Sequence, residues 1–250
     1  MPLQSLEGTL ADDLRLPPPY SSVRLRELGD AFVQAQALAP KHGAGTLVYV
    51  GRFDLAEFAL VMEPEQPLRQ ARRVFYAGMA ALIDALAATA VPETAINVDW
   101  PDAIYVNYGL VGGARLAWPK KAREEEVPPW LVFGAMIRTA STPGREPGVN
   151  PGVTALEEEG FAGALSTQLI ESFARNFMVA LDTWHESGFA AVARSFFERM
   201  TRDSGLRCDI DDNGDLLLRR LMSNTTERRE LVPRLKQPSW YDAKSKAPIA

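Results

Sequence analysis

Strand-type and helix-type segments are segregated along this chain, and their order constrains its fold more than any other feature. Residues 46–50 (Thr-Leu-Val-Tyr-Val) and 57–62 are short apolar runs suited to neighbouring buried strands. The loop between them, Gly51-Arg52-Phe53-Asp54, holds one glycine. Residues 67–88 then carry Val74, Met79, Leu82 and Leu86 at helical spacing, with Pro67 where a helix start tolerates it. A long helix packed on a sheet is expected there. Strand character returns at 96–118, where Ile104, Val106 and the run 111–116 are split by the turn Asn107-Tyr108-Gly109, and again at 130–137. Only then do two helical stretches follow, 165–185 and 189–202, separated by Ser187-Gly188, which suits a helix end. Beyond Gly205, segments 207–210 and 216–219 flank Asp211-Asp212-Asn213-Gly214, a hairpin signal because Asn-Gly readily takes positive φ. Strands, then helices, then a small hairpin predict an α+β fold, a mixed sheet flanked by helices, and not a doubly wound parallel sheet. The expected division is a main domain over 1–204 and a small hairpin-and-helix appendage over 205–250.

At the start, Pro17-Pro18-Pro19 marks an extended lead-in. Ser21 or Ser22 is placed to cap a helix running to about Leu38, with Leu25, Leu28, Phe32 and Ala35 along one face. Residues 40–45 break that pattern and put His42 in a Gly-rich loop, while 139–152 are dense in Gly, Pro and Ser and read as loop. A net charge of -5 and a pI near 5.2 argue against nucleic acid or an anionic membrane as partner. One cysteine, Cys208, excludes an internal disulfide, a thiolate zinc cluster and a Cys-x-x-Cys redox pair, and fits a reducing cytosol. Residues 1–16 lack the basic-then-apolar order of a signal peptide. The most apolar stretch, 77–91, contains Asp84 and is too short to span a bilayer. A cytoplasmic protein is expected.

The segment most informative about function is Val98-Asp99-Trp100-Pro101-Asp102-Ala103-Ile104-Tyr105-Val106-Asn107, followed by Leu110-Val111-Gly112-Gly113-Ala114. It resembles the signature of the biotin and lipoate protein ligases, in which Lys-Trp-Pro-Asn-Asp and an apolar strand lead through a turn to Lys-(apolar)-Ala/Gly-Gly. The order of elements on both sides agrees over roughly residues 20–202, including the loop ending in Asn150 and the stretch Thr154-Ala-Leu-Glu-Glu-Glu-Gly160. The resemblance implies the class II synthetase-like ligase catalytic fold. It also implies a protein that binds biotin, lipoate or octanoate, activates the carboxylate with ATP and Mg as an acyl adenylate, and passes it to a lysine of a biotinyl or lipoyl carrier domain. Such chemistry needs positive charge and metal-held oxygens around the α-phosphate, and a loop that excludes water from the adenylate.

Carried over residue by residue, the resemblance assigns ligand contacts to Arg52, Trp100, Pro101, Asp102, Gly112, Gly113 and Asn150, with Asp102 also the metal ligand. The family's Asn-Asp pair is Asp102-Ala103 here, its Gly-Arg-rich loop is reduced to Gly51-Arg52-Phe53-Asp54, and Leu110 stands where the catalytic lysine is expected. No catalytic residue is therefore assigned. Each feature also has a purely structural reading: Trp100-Pro101 as a packing element, Gly112-Gly113 as a bulge, Asp102 as a turn cap. Lys120 and Lys121 lie in a charged connection between strands that reads as solvated, and Cys208 and His185 are explained by packing and by a helix C-terminus. Three functions stay open: an acid-binding ligase-like protein, a non-catalytic scaffold or sensor binding a protein partner, and an acyltransferase using a preactivated donor. The tail, with Arg219-Arg220, Arg228-Arg229 and 231–240, covers the site, contacts a carrier domain or completes the core.

Overall fold

The computed structural model describes residues 14–141, 150, 152–162, 165–201, 205–223 and 225–249. Its centre is a seven-stranded sheet in the order β1-β2-β3-β7-β6-β5-β4. The strands are β1 (Ser21–Leu25), β2 (Thr46–Val50), β3 (Leu55–Met62), β4 (Ile96–Asp99), β5 (Ala103–Val106), β6 (Gly109–Ala117) and β7 (Leu131–Arg138). β1 runs parallel to β2 and the other neighbours are antiparallel, so the sheet is mixed, as the element order predicted. Within the large loop expected at 139–152, residues 142–149 and 151 lie outside the described residues.

The helix expected from Ser21 is instead strand β1 followed by α1 (Ala31–His42). The physical reason is pairing: residues 21–25 find backbone partners along 46–50, which an isolated helical turn could not match. The true cap is Asp30, whose carboxylate accepts the Val33 N–H at 2.9 Å, and Leu28 is fully exposed. α1 runs through Pro40 and places His42 in its last turn, not in a loop. Ala31, Ala35 and Ala39 form its buried stripe and lie on β2, β3 and β7.

The long helix after Pro67 is divided into α2 (Leu68–Ala71) and α3 (Val74–Ala87) at Arg72-Arg73. α3 is buried nearly all round, and at Gly78 the missing side chain admits the Phe133 ring. α4 (Leu165–Ser187) and α5 (Phe189–Arg199) break at Gly188, whose φ of 78° suits glycine. Asn107 and Tyr108, at φ 46° and 72°, make the two-residue turn that registers Val106 against Gly109. No described helix is long and apolar enough to cross a membrane.

The sheet thus has two unlike faces. α3, α4 and α5 cover one and form the main core with residues such as Phe58, Phe133 and Ile104. The other face is covered by α1 at one end and, over β5, β6 and β7, by the C-terminal segment, where Trp240 packs on Leu55, Ala103, Leu110 and Met136. The residues after 205 form β8 (Leu206–Ile210), β9 (Leu216–Arg220), β10 (Thr226–Arg229), α6 (Leu231–Lys236), β11 (Tyr241–Asp242) and β12 (Ala247–Pro248). Ile210, Leu216, Leu218, Leu231 and Leu235 join the main core, and the Tyr76 hydroxyl donates to the Gly214 carbonyl at 2.7 Å. β10 was not expected: its Thr-Glu-Arg-Arg sequence is exposed throughout and has no strand alternation, so its backbone pairing with β9 makes it a strand.

Candidate functional site

Trp100, Pro101 and Asp102 form the link of the β4–β5 hairpin, which pairs Asp99 with Ala103 and contains a cis Trp100-Pro101 peptide. Trp100 belongs to the main core, where its indole N–H donates to the Tyr76 hydroxyl at 3.1 Å. Pro101 is buried. Asp102 is only 1% exposed, and its Oδ2 has no hydrogen-bond partner. Burial pushes its carboxyl up to about 7, while backbone bonding and the Trp240 indole N–H pull it down.

The glycine pair sits in a distorted ladder. Ile104 faces Gly112 and Tyr105 faces Leu110, so Val111 is the extra residue of a bulge. Gly112 adopts φ 150°, and any side chain there would collide with the Met136 carbonyl. At Gly113 a Cβ would come within 2.5 Å of the Trp240 indole nitrogen. The backbone here does admit a close neighbour, and that neighbour is the chain's own Trp240.

Leu110 is 6% exposed in the apolar cluster with Leu55, Ala103, Met136 and Trp240. A cation does stand beside it. Arg138, at the end of β7, donates to the carbonyls of Leu110 (3.5 Å), Thr154 (3.2 Å), Pro248 (3.2 Å) and Ile249 (3.1 Å). On the same face Arg115 lies between the rings of Phe32 and Tyr241, 4.4 and 4.3 Å from their centroids. Glu57 accepts the Ala31 N–H at 2.9 Å, and burial pushes its carboxyl up.

Arg52 occupies a separate place. Its guanidinium holds Asp54 in a two-point pair at 2.9 and 2.6 Å, which keeps the Asp54 carboxyl below the usual range. The Gly51–Arg52 loop borders a cleft of about 890 Å³ lined also by Arg24, Tyr49, Thr139, Ser141 and Ser166. The Tyr49 hydroxyl is buried without a hydrogen-bond partner. Asn150 closes a turn by accepting the N–H groups of Gly152 and Val153, and that turn pairs with Leu110 through Leu110 N–H to Gly152 and Thr154 N–H to Leu110.

The structure therefore gathers Asp102, Gly113 and Leu110 under Trp240, with Gly112 beside them in the bulged strand and the Asn150 turn adjoining. Trp100 lies in the main core and Arg52 lines its own cleft. Lys120 and Lys121 are exposed on the connection before β7. Sequence reasoning missed Arg115, Arg138 and Trp240. Period-two alternation could have put Arg115 on the face of Gly113 and Arg138 on that of Met136, but nothing in the sequence ties Trp240 to Gly113. Magnesium takes several oxygen ligands. The described residues gather no group of three or more Asp, Glu, His or Cys, and Asp102 is the buried carboxylate at this place, so a magnesium ion there would take its remaining oxygens from water and a ligand's phosphates.

This mixed sheet flanked by helices, with a Trp-Pro turn joining two strands and a glycine pair on the strand beside them, is the catalytic fold of the biotin protein ligases. A solved biotin protein ligase-like protein of unknown function from Silicibacter sp. superposes with a TM-score of 0.74 at 27% identity, covering 87% of this chain and 97% of that one. The biotin protein ligase of Aquifex aeolicus superposes at 0.61 with 14% identity, covering 84% and 98%. A biotin–[acetyl-CoA-carboxylase] ligase of Paracoccus denitrificans is 26% identical over 239 residues, 87% of this chain and 92% of that protein. The model of the Biotin/lipoate A/B protein ligase family matches residues 16–198, and the chain belongs to that family.

Proposed function

We propose that this protein binds a small carboxylic acid of the biotin, lipoate or octanoate type, or its nucleotide-activated form, and does not activate that acid with ATP while Trp240 is seated. The observation that carries the reading is the surroundings of Leu110. Attack of a carboxylate on an α-phosphate needs a cation at the developing charge. Leu110 supplies none, its neighbours are Leu55, Ala103, Met136 and Trp240, and the nearby Arg138 guanidinium is committed to carbonyls. The cleft beside Gly51–Arg52 supports binding of the nucleotide part of an activated acid, with Arg24 and Arg52 as cations and Tyr49, Ser141 and Ser166 as hydroxyl groups around it. The Aquifex aeolicus ligase has been solved with biotin and ATP, which makes these the first ligands to try.

Passing the acid to a carrier-domain lysine then requires a donor that is already activated: the amine attacks the acyl carbon, an amide forms and the donor's leaving group departs. Mass spectrometry of a biotinyl or lipoyl carrier domain incubated with octanoyl-adenylate tests this, and an unchanged carrier mass refutes transfer. A cytoplasmic setting fits the lone, unpaired Cys208. The buried state of Leu110 and Gly113 also favours a second reading, a non-catalytic scaffold for a protein partner.

Thermal shifts with biotin, lipoate, octanoate and ATP, alone and paired, separate these readings, because a ligand of the native state raises Tm by mass action. Stabilisation by one acid, not enlarged by ATP, is expected. Enlargement by ATP would refute the loss of activation, and no shift with any acid would leave the scaffold.

A further inference from the structure

The segment 237–249 lies over β5, β6 and β7 as an arm with few ties. Its two short strands pair only with each other and form a sheet separate from the central one. Asp242 closes the turn between them by accepting the N–H groups of Lys244 and Ser245 at 3.0 and 3.2 Å. The polar and stacking ties that hold it to the body are the Trp240 N–H to the Ala114 carbonyl at 3.3 Å and toward the Asp102 carboxyl, the Tyr241 ring on Arg115, and the Pro248 and Ile249 carbonyls on Arg138.

What the arm covers is matched to it only in part. The Oδ2 of Asp102 and the Nε of Arg115 are buried with no hydrogen-bond partner. Each such atom has given up its hydrogen bonds to water without a replacement, a deficit that departure of the arm would relieve. The hollow holding the indole is apolar, formed by Leu55, Ala103, Leu110 and Met136, with the Arg138 guanidinium at its edge holding carbonyl oxygens. Its chemistry suits a compact apolar body ending in an anion, and an arginine fork matches a carboxylate better than it matches single carbonyls.

We propose that the arm is a displaceable plug over a ligand site, and that Arg138, once it gives up the Pro248 and Ile249 carbonyls, is the cation that takes the ligand's carboxylate. The ligand class rests on the reading under Proposed function; the plug and its cation rest on the contacts above. Arg138 then holds the charge position beside Leu110 from the neighbouring strand, and the arm and the acid compete for one place.

The test compares the full chain with Trp240→Ala and with Trp240→Ala/Arg138→Gln by titration calorimetry, using lipoate and, as an anion without an apolar body, inorganic pyrophosphate. Trp240→Ala is expected to bind lipoate at least about ten-fold more tightly than the unaltered chain, and Arg138→Gln to abolish that gain. Hydrogen exchange of the unaltered chain gives a readout independent of whether Trp240→Ala folds: lipoate should speed exchange across 240–249. Equal affinities for lipoate with and without Trp240, or slower arm exchange with lipoate, overturn the plug while leaving acid binding intact. If no acid binds either chain but pyrophosphate binds Trp240→Ala in an Arg138-dependent way, the acid reading fails and the plug stands. Binding of neither probe to either chain, with unchanged arm exchange, overturns both.

Discussion

The substitution Asp102→Asn should remove a pH dependence that the fold imposes on this chain. The side chain is 1% exposed, has one oxygen without a partner, and is held by burial at about 7 in place of 3.8. Because the folded value lies above the unfolded one, the folded state is favoured by the protonated acid. Its stability is whole below pH 4, falls as pH rises toward 7, and is level above that. A carboxyl displaced that far corresponds to about 4 kcal/mol. The asparagine variant keeps the shape and cannot ionise there. The difference between the two proteins should therefore be flat below about pH 4 and change by about 4 kcal/mol in favour of the variant by pH 8. The raised carboxyls of Glu57 and Asp84 are common to both and cancel. Urea unfolding of both proteins at intervals from pH 4 to 8 measures it. A difference that does not vary with pH would refute the raised, buried carboxyl at this position.

Leu110→Lys restores the residue type expected for the family but puts an ammonium into the cluster under Trp240; it should cost about 3 kcal/mol, the scale of an unpaired buried charge, and yield no ATP-dependent pyrophosphate release, checked by urea unfolding and a phosphate-coupled assay. Gly78→Ala should destabilise by about 1–2 kcal/mol despite its better helix propensity, because the added methyl meets the Phe133 ring, itself stacked on Phe173 at 5.4 Å; a rise in urea midpoint would contradict this. Asp30→Ala should cost about 1 kcal/mol through loss of the α1 cap, and an unchanged Tm would show that Glu57, which holds the Ala31 N–H, secures that helix end alone.

Much of the architecture could be read from residue pattern, because buried strands and helices need different spacings of apolar side chains. Segments 46–50 and 130–137 and the Asn107 turn came from such local rules, and so did the break at Gly188. The amino terminus was misread because Ser21–Leu25 has no local preference strong enough to resist a strand partner, and its partner lies at residues 46–50. β10 escaped for the same reason. Of the site, the glycine pair was singled out by its likeness to the ligase motif, and in the structure backbone crowding by Met136 and Trp240 excludes a side chain at both positions. Trp100 was legible as an unusual residue, though not the side of the sheet it serves.

By itself, then, the sequence determined the class of fold and the order of most of its elements, carried by residue types and short spacings, and its likeness to the ligase motif marked Leu110 as the position where that motif has a lysine. Tertiary structure alone decided what fills the hollow beside Leu110. Trp240 reaches Gly113 from more than a hundred residues away, and Arg138 meets the Pro248 and Ile249 carbonyls across a similar span. Contacts of that separation depend on how the chain packs, and leave no periodic trace in it.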